Sequence, residues 1–299
     1  MVIRFKPSAS AHEPLDKSQE PNLQRNTSSY IPAPVPPTDP TDPYAGARPP
    51  RQWLFLPTEK PIVTQVLLAI LVLVYLPMQL SPDLNDSFIN WGALEKLPII
   101  NGEWWRLITA TFLHGGLPHI AFNGLGLYII GKEVEAFFGR TRFAAIYAIS
   151  GLAGSVASFY FLSYGAAGVG ASGAIFGIFG ALAVYYGLNR RLFGRFGMVN
   201  FRVIIGVLVL SLVFDYALNR SGVVLIDDSA HIGGLIAGGV VGFILAPRYQ
   251  PSEWRNPLVR EIKNINKDRL PWLATLLVGL CVIEAFVVIL LLYRGNYIS

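Results

Sequence analysis

Seven apolar stretches of membrane length constrain this chain more than any other feature of its sequence. They cover residues 62–80, 118–134, 143–163, 171–188, 202–218, 231–247 and 271–293. The hydrocarbon core of a bilayer takes roughly 20 mostly apolar residues per helix, within a range of about 17–25. Backbone amides in lipid must be satisfied within their own segment, and the period-two alternation of a barrel strand is absent, so the stretches are expected to be helices. Composition agrees: 53% of the 299 residues are hydrophobic and only 14% charged, against about a quarter charged in soluble domains. The expected fold class is therefore an all-α polytopic membrane protein. The fifth stretch has the least certain edges, because Asp215 and Tyr216 sit near its outer end.

Residues 1–60 are of another kind. Prolines recur from Pro32 to Pro57 among Ser, Thr, Asp and Gln, without apolar periodicity. Such a segment buries too little surface to offset its ordering entropy, so a disordered tail is expected. It has neither the apolar stretch of a secretory signal nor, with Glu13, Asp16 and Glu20, the acid-poor composition of a mitochondrial presequence. Residues 61–250 hold six spans, 251–270 form a basic linker, and 271–299 add a seventh span with a short outer tail. Arginine and lysine favour the cytoplasmic side of a membrane. Arg140 and Arg142 follow the second span, Arg190, Arg191, Arg195 and Arg202 separate the fourth from the fifth, and Arg248, Arg255, Arg260, Lys263, Lys267 and Arg269 follow the sixth. The opposite side has the scattered Lys96, Arg106, Arg220 and Arg294. The tail is thus expected in the cytoplasm, with a bacterial inner membrane as the preferred location. A net charge of +5 is too small and too dispersed to argue for nucleic acid, and no nucleic-acid partner is expected; the single cysteine, Cys281, excludes an intrachain disulfide.

This topology brings the starts of spans two, four and six to one outer face, and each start carries a polar residue: His119, Ser172 and His231. Ser172 stands among Gly168, Gly170, Ala171 and Gly173, small residues that let a substrate backbone approach. A helix first turn has free amide donors and the positive end of the dipole, which suits an oxyanion but equally suits an N-cap serine. His231 could act as a general base, or simply be an interfacial histidine reaching water. Gly234, Gly238 and Gly242 on one span, and Gly173 and Gly177 on another, form small-xxx-small faces that would bring the two helices together. Asp227 and Asp228 lie in the loop before His231 and could be solvated, so a Ser-His dyad without an acid is expected. His119 and Asn123 are one helical turn apart and share a face, as oxyanion donors or as polar glue between helices. His114 reads as structural.

Five ordered motifs then match a family. Trp105-Arg106, His119-x-x-x-Asn123, Gly131-x-x-x-Glu135-x-x-x-Gly139, Gly170-x-Ser172-Gly173 and Ala230-His231-x-x-Gly234 stand in the order found in the rhomboid intramembrane serine proteases, and the chain resembles that family over about residues 55–250. The resemblance implies a six-helix core, Ser172 as nucleophile, His231 as base, and an oxyanion hole of His119, Asn123 and the Ser172 amide. It implies an embedded outer loop over 81–117 carrying Trp105 and Arg106, structural roles for Glu135 and Gly139, and an added C-terminal helix at 271–293. Phe176 stands where many bacterial members have a tyrosine stacked on the histidine, so the ring face is kept and the hydroxyl lost.

The expected function is cleavage within or beside the transmembrane segments of single-pass membrane proteins, without cofactor or metal. Water would enter beneath the loop 219–230. The resemblance suggests substrate entry between spans two and five and a small residue before the cut. A non-catalytic rhomboid-like adaptor usually lacks the dyad, and a transporter with inverted repeats would show an internal repeat, which is absent. Glu284, near the middle of the last span, is expected either to be protonated and dock that helix onto the core or to be a snorkelling or water-lined carboxylate. The sequence specifies neither oligomeric state nor substrate.

Overall fold

The computed structural model describes residues 29–32, 53–56, 58–221, 227–256, 259–266 and 270–298. Its core is all-α. Helix α1 (Ile62–Met78) leads into the short helices α2 (Pro82–Gly92), α3 (Lys96–Ile100) and α4 (Arg106–Thr109), which build a folded outer loop. The second span runs through α5 (Leu117–Gly126), a π-helical turn (Leu127–Gly131) and α6 (Lys132–Phe138). Four more core helices follow: α7 (Arg140–Phe161), α8 (Ser172–Leu188), α9 (Arg190–Ser221) and α10 (Asp228–Leu245), with α11 (Leu270–Ile298) as the additional helix.

The segments Arg140–Phe161, Leu192–Ala217, Asp228–Leu245 and Pro271–Arg294 are long and apolar enough to cross a membrane. Helices α1 and α8 have 17 residues each, which at about 1.5 Å per residue is close to 26 Å. Every expected span thus falls on a helix. Within α9 the backbone breaks at Gly194 (φ 54°), near the start of the membrane-length segment Leu192–Ala217.

Outside this core, short strands β1 (Ser29–Pro32), β2 (Trp53–Leu56), β3 (Tyr249–Asn256) and β4 (Val259–Asn264) form a sheet in the order β1-β2-β4-β3. Two of them fall in the proline-rich segment expected to be a disordered tail, and β2 is a run of the apolar and aromatic residues that strands favour. Most of the rest of that segment lies outside the described residues, and so do residues 222–226 of the loop expected at 219–230.

Two contact systems position the functional end. The first is backbone against backbone. On α10, a Cβ at Gly238 would fall inside the Gly177 carbonyl, one at Gly234 inside the Gly173 carbonyl, and one at Gly242 would lie 2.6 Å from Ala181 Cα. On α7, a Cβ at Gly154 would lie 2.8 Å from the Ala230 carbonyl oxygen. Without a hydrophobic effect between helices in lipid, such close approach is how dispersion holds a bundle.

The second system anchors the helix ends. Glu135 is fully buried and accepts from Val63 N (2.8 Å), Thr64 N (2.7 Å) and Thr64 Oγ1 (2.7 Å), placing a carboxylate on the first turn of α1. Gly139 ends α6 at φ 84°, and the neighbouring Glu59 amide donates to Ala136 O. Replacing Glu135 by glutamine points an amide NH2 at groups that are themselves donors. We expect Glu135→Gln to lose about 2–3 kcal/mol of stability, read as a lower Tm in detergent, with any residual folded protein keeping its active-site chemistry.

Helix α11 docks differently from expectation. Glu284 is exposed on the helix surface and makes no hydrogen bond or ion pair among the described residues. Phe286 and Leu290 are buried instead, packing with Leu94, Ile99, Val156 and Phe159. Lys96 Nζ donates to Tyr293 Oη (2.9 Å) and to the Tyr160 carbonyl (3.0 Å), and Arg294 Nε donates to Ile100 O (2.8 Å). Helical phase accounts for the difference: residues 286, 290 and 293 recur at four and three positions and share one face, whereas 284 points away from it.

Candidate active site

Ser172 is the first residue of α8, and the chain reaches it through an extended strap. Gly168 and Leu94 exchange both backbone hydrogen bonds (2.9 Å each), and Gly170 N donates to Ala110 O (2.9 Å), pinning the strap to the outer loop. Gly170 needs to be glycine on two counts: its φ is +124°, and a Cβ there would lie 2.6 Å from His119 Nε2. The His119 imidazole thus lies against the backbone of Gly170, two residues before Ser172. No side chain caps α8, so its first-turn amide donors point at the site without a protein side chain on them.

His231 lies in the first turn of α10, whose N-cap is Asp227: its Oδ1 accepts from Ala230 N at 3.0 Å. The other oxygen of Asp227 is hydrogen-bonded by Ser158 Oγ. Asp227 is thus a cap and a tie to α7. Phe176, one turn into α8, stacks flat on the His231 ring with centroids 4.2 Å apart and an interplanar angle of 8°. The ring face expected from the sequence is in use. Because α8 and α10 touch at Gly173 and Gly234, Ser172 and His231 occupy adjoining first turns; among the described residues no hydrogen bond joins them. Catalytic hydrogen bonds are often long before substrate binds and tighten in the Michaelis complex.

His119 and Asn123 lie on α5 facing the strap. Asn123 is buried, and one of its two amide protons goes to the His119 carbonyl (3.0 Å), which leaves the second. His114, in the turn ahead of α5, is buried and packs edge-on against His119, with centroids 5.1 Å apart. Burial first, and the neighbouring His119 second, lower its imidazole to about 4, so His114 is neutral at pH 7. Arg106 is buried in the outer loop, where Nη1 donates to Ala93 O (2.8 Å), Nη2 to Asn90 O, and Nε to Glu103 Oε2 (2.6 Å). Trp105 Nε1 donates to Trp91 O (3.1 Å). The Trp-Arg pair therefore staples loop carbonyls rather than entering the site.

One residue of the constellation was missed. Asp215, on α9, places Oδ2 2.8 Å from His231 Nδ1, and both side chains are about nine-tenths buried. The expectation of a histidine without an acidic neighbour is corrected here. Asp215 lies only 16 residues before His231, yet in the sequence it stands at the ragged outer edge of a span. An ionisable residue within a membrane helix is itself a signal of function.

A small cavity adjoins the serine, lined by Ser155, Ser158, Gly170, Ser172, Asp227 and Ala230 among others. Its volume of about 30 Å³ admits a water molecule or two, and its hydroxyl and carboxylate walls offer partners for them.

Residues 101–248 match the family model described as the Rhomboid domain. The chain is 33% identical over 149 residues to the putative rhomboid protease YdcA of Bacillus subtilis, covering 71% of that protein and 50% of this chain. The chain belongs to the rhomboid family. It is also 40% identical over 181 residues to the rhomboid protease GluP of the same organism, and 40% identical over 174 residues to RHOMBOID-like protein 5 of Arabidopsis thaliana. Those matches cover 60% and 58% of this chain, and 34% and 54% of the two relatives, so the chain spans about a third of one and half of the other. The aligned domain contains the whole constellation, from Trp105 to His231, and its apolar helices make this an integral membrane protein.

Proposed function

We propose that this rhomboid is an intramembrane serine endopeptidase that cuts the transmembrane segments of single-pass membrane proteins. The observation that supports this most is the Phe176–His231 stack at the abutting first turns of α8 and α10, the helix start that Ser172 opens and the one that carries His231. Two of its relatives are named as proteases.

Ser172 Oγ attacks the scissile carbonyl carbon while His231 takes its proton. The tetrahedral oxyanion meets the α8 first-turn amides, the free Asn123 amide proton and the His119 imidazole, donors preorganised where the charge develops. His231 then delivers the proton to the departing amine, the C–N bond breaks, and an acyl-serine remains. Water from the cavity beside Ser172 hydrolyses that ester by the same proton relay, restoring the hydroxyl. A substrate helix must unwind locally to be cut, since its carbonyls are otherwise engaged along the helix, so a helix with weak local propensity is preferred. The arginine clusters support a tail on the cytoplasmic side and a site toward the outer face of the membrane, for which a bacterial inner membrane is our proposal.

The test is cleavage by the purified chain in proteoliposomes of a panel of single-pass membrane proteins, with products mapped by mass spectrometry. A cut in the outer half of a transmembrane segment, after a small residue, is expected. If the whole panel stays intact and a fluorophosphonate leaves the chain unlabelled, the protein is a non-catalytic rhomboid-like adaptor instead.

A further inference from the structure

The imidazole of His231 is held on its face by Phe176 and on one edge by Asp215, from two different helices. An ionised carboxylate only accepts hydrogen bonds. With Asp215 ionised and His231 neutral, a 2.8 Å contact to Nδ1 puts the proton on Nδ1 and leaves the lone pair on Nε2, the tautomer a general base for Ser172 needs. We propose that Asp215 is the positioning residue for His231, so that the site works as Ser172–His231–Asp215. This rests on the proteolytic reading above and extends it.

Asp215 reaches the site from α9, which otherwise turns largely apolar, exposed residues outward: Val203, Ile205, Val207, Val209, Leu210 and Val213. A carboxylate buried at the inner face of such a helix is costly unless paired, and His231 is its partner. When the imidazole becomes cationic in the transition state, the same carboxylate faces the new charge, in a site shielded from bulk water. A second carboxylate is near: ligand atoms of Asp215, Asp228 and His231 all lie within 4.8 Å of one another. Asp228 stands on the histidine's own helix, in the first turn of α10, where a negative charge favours the helix dipole. The assignment gives the imidazole to Asp215, whose Oδ2 is 2.8 Å from Nδ1, and the helix end to Asp228.

Two measurements test the assignment. In the wild-type protein labelled with 15N-histidine, two-bond 1H–15N couplings should report a single Nδ1–H tautomer for His231, identified by its loss in His231→Gln. An Nε2–H tautomer overturns the proposal. The second is steady-state cleavage by Asp215→Asn, which preserves shape and one hydrogen bond but lets the ring adopt either tautomer. Removing the orienting carboxylate lowers kcat by about 10⁴ in soluble serine proteases, and a loss of at least about 100-fold in kcat is expected here, with KM within about twofold. Asp215→Glu should recover part of the rate, and Asp228→Asn should stay within about threefold of wild type. A folded Asp215→Asn enzyme with wild-type kcat overturns the proposal. Failure of the wild type to cleave or to take a fluorophosphonate would instead remove the proteolytic reading, while the tautomer measurement still reports on Asp215.

Discussion

Replacing Ser172 by alanine will end both proteolysis and covalent labelling by a fluorophosphonate, while the protein keeps its wild-type Tm. The hydroxyl is half-buried at the start of α8, makes no side-chain cap there and donates to no residue among those described. Its loss therefore removes no structural hydrogen bond. Chemically it removes the atom that forms the acyl intermediate. In serine proteases, loss of the nucleophile costs about 10⁶ in kcat, with a residue of catalysis left by the oxyanion donors and binding alone. A fall of at least about 10³ is the expected outcome in a quantitative cleavage assay. Undiminished cleavage in Ser172→Ala, with labelling at another residue, would move the nucleophile elsewhere. The Gly170 strap and the α8 amides would then lose their place in the chemistry.

Gly238→Leu should be the most damaging substitution for the fold. A Cβ at this position would sit inside the carbonyl and the Cα of Gly177. These are backbone atoms, unable to rotate away as a side-chain tip could. The only relief is separation of α8 from α10. Overpacking in ordinary cores costs about 1–3 kcal/mol, and a leucine driven into a helix backbone should exceed that, so little folded protein is expected in a detergent melt. The neighbouring Gly239 supplies the control, because a Cβ there meets nothing within 4 Å. Gly239→Leu should keep its Tm, helped slightly by better helix propensity. Any folded Gly238→Ala protein should cleave slowly, since the same helix contact sets the spacing between Ser172 and His231. Equal melts for the leucine variants at 238 and 239 would mean that the two helices do not depend on this contact.

The spans, their order and most of the site were legible because each leaves a local trace. Length and apolarity mark a membrane helix, the four-residue glycine period marks a face for close packing, and Gly170-Ala171-Ser172-Gly173 marks a backbone turn that opens a helix. His119 and Asn123 follow from a single helical turn. Glu135 was legible as structural through its motif alone; that its carboxylate sits on the start of α1, more than seventy residues away in sequence, had no local sign. Glu284 misled for a related reason. A carboxylate in an apolar run is conspicuous, yet the rotation of α11 is set by Phe286, Leu290 and Tyr293 meeting Phe159 and Lys96.

The sequence by itself determined that this chain is a bundle of membrane helices with a serine, an imidazole and an amide gathered at one face, because the bilayer forces helices and alternation of sides then assigns each start to a surface. Only the tertiary structure decided which way each helix is rotated and which neighbour it meets. Rotation is a sum over many weak contacts from distant segments, and it is what brought Asp215 of α9 to the Nδ1 edge of His231 while turning Glu284 away from the core.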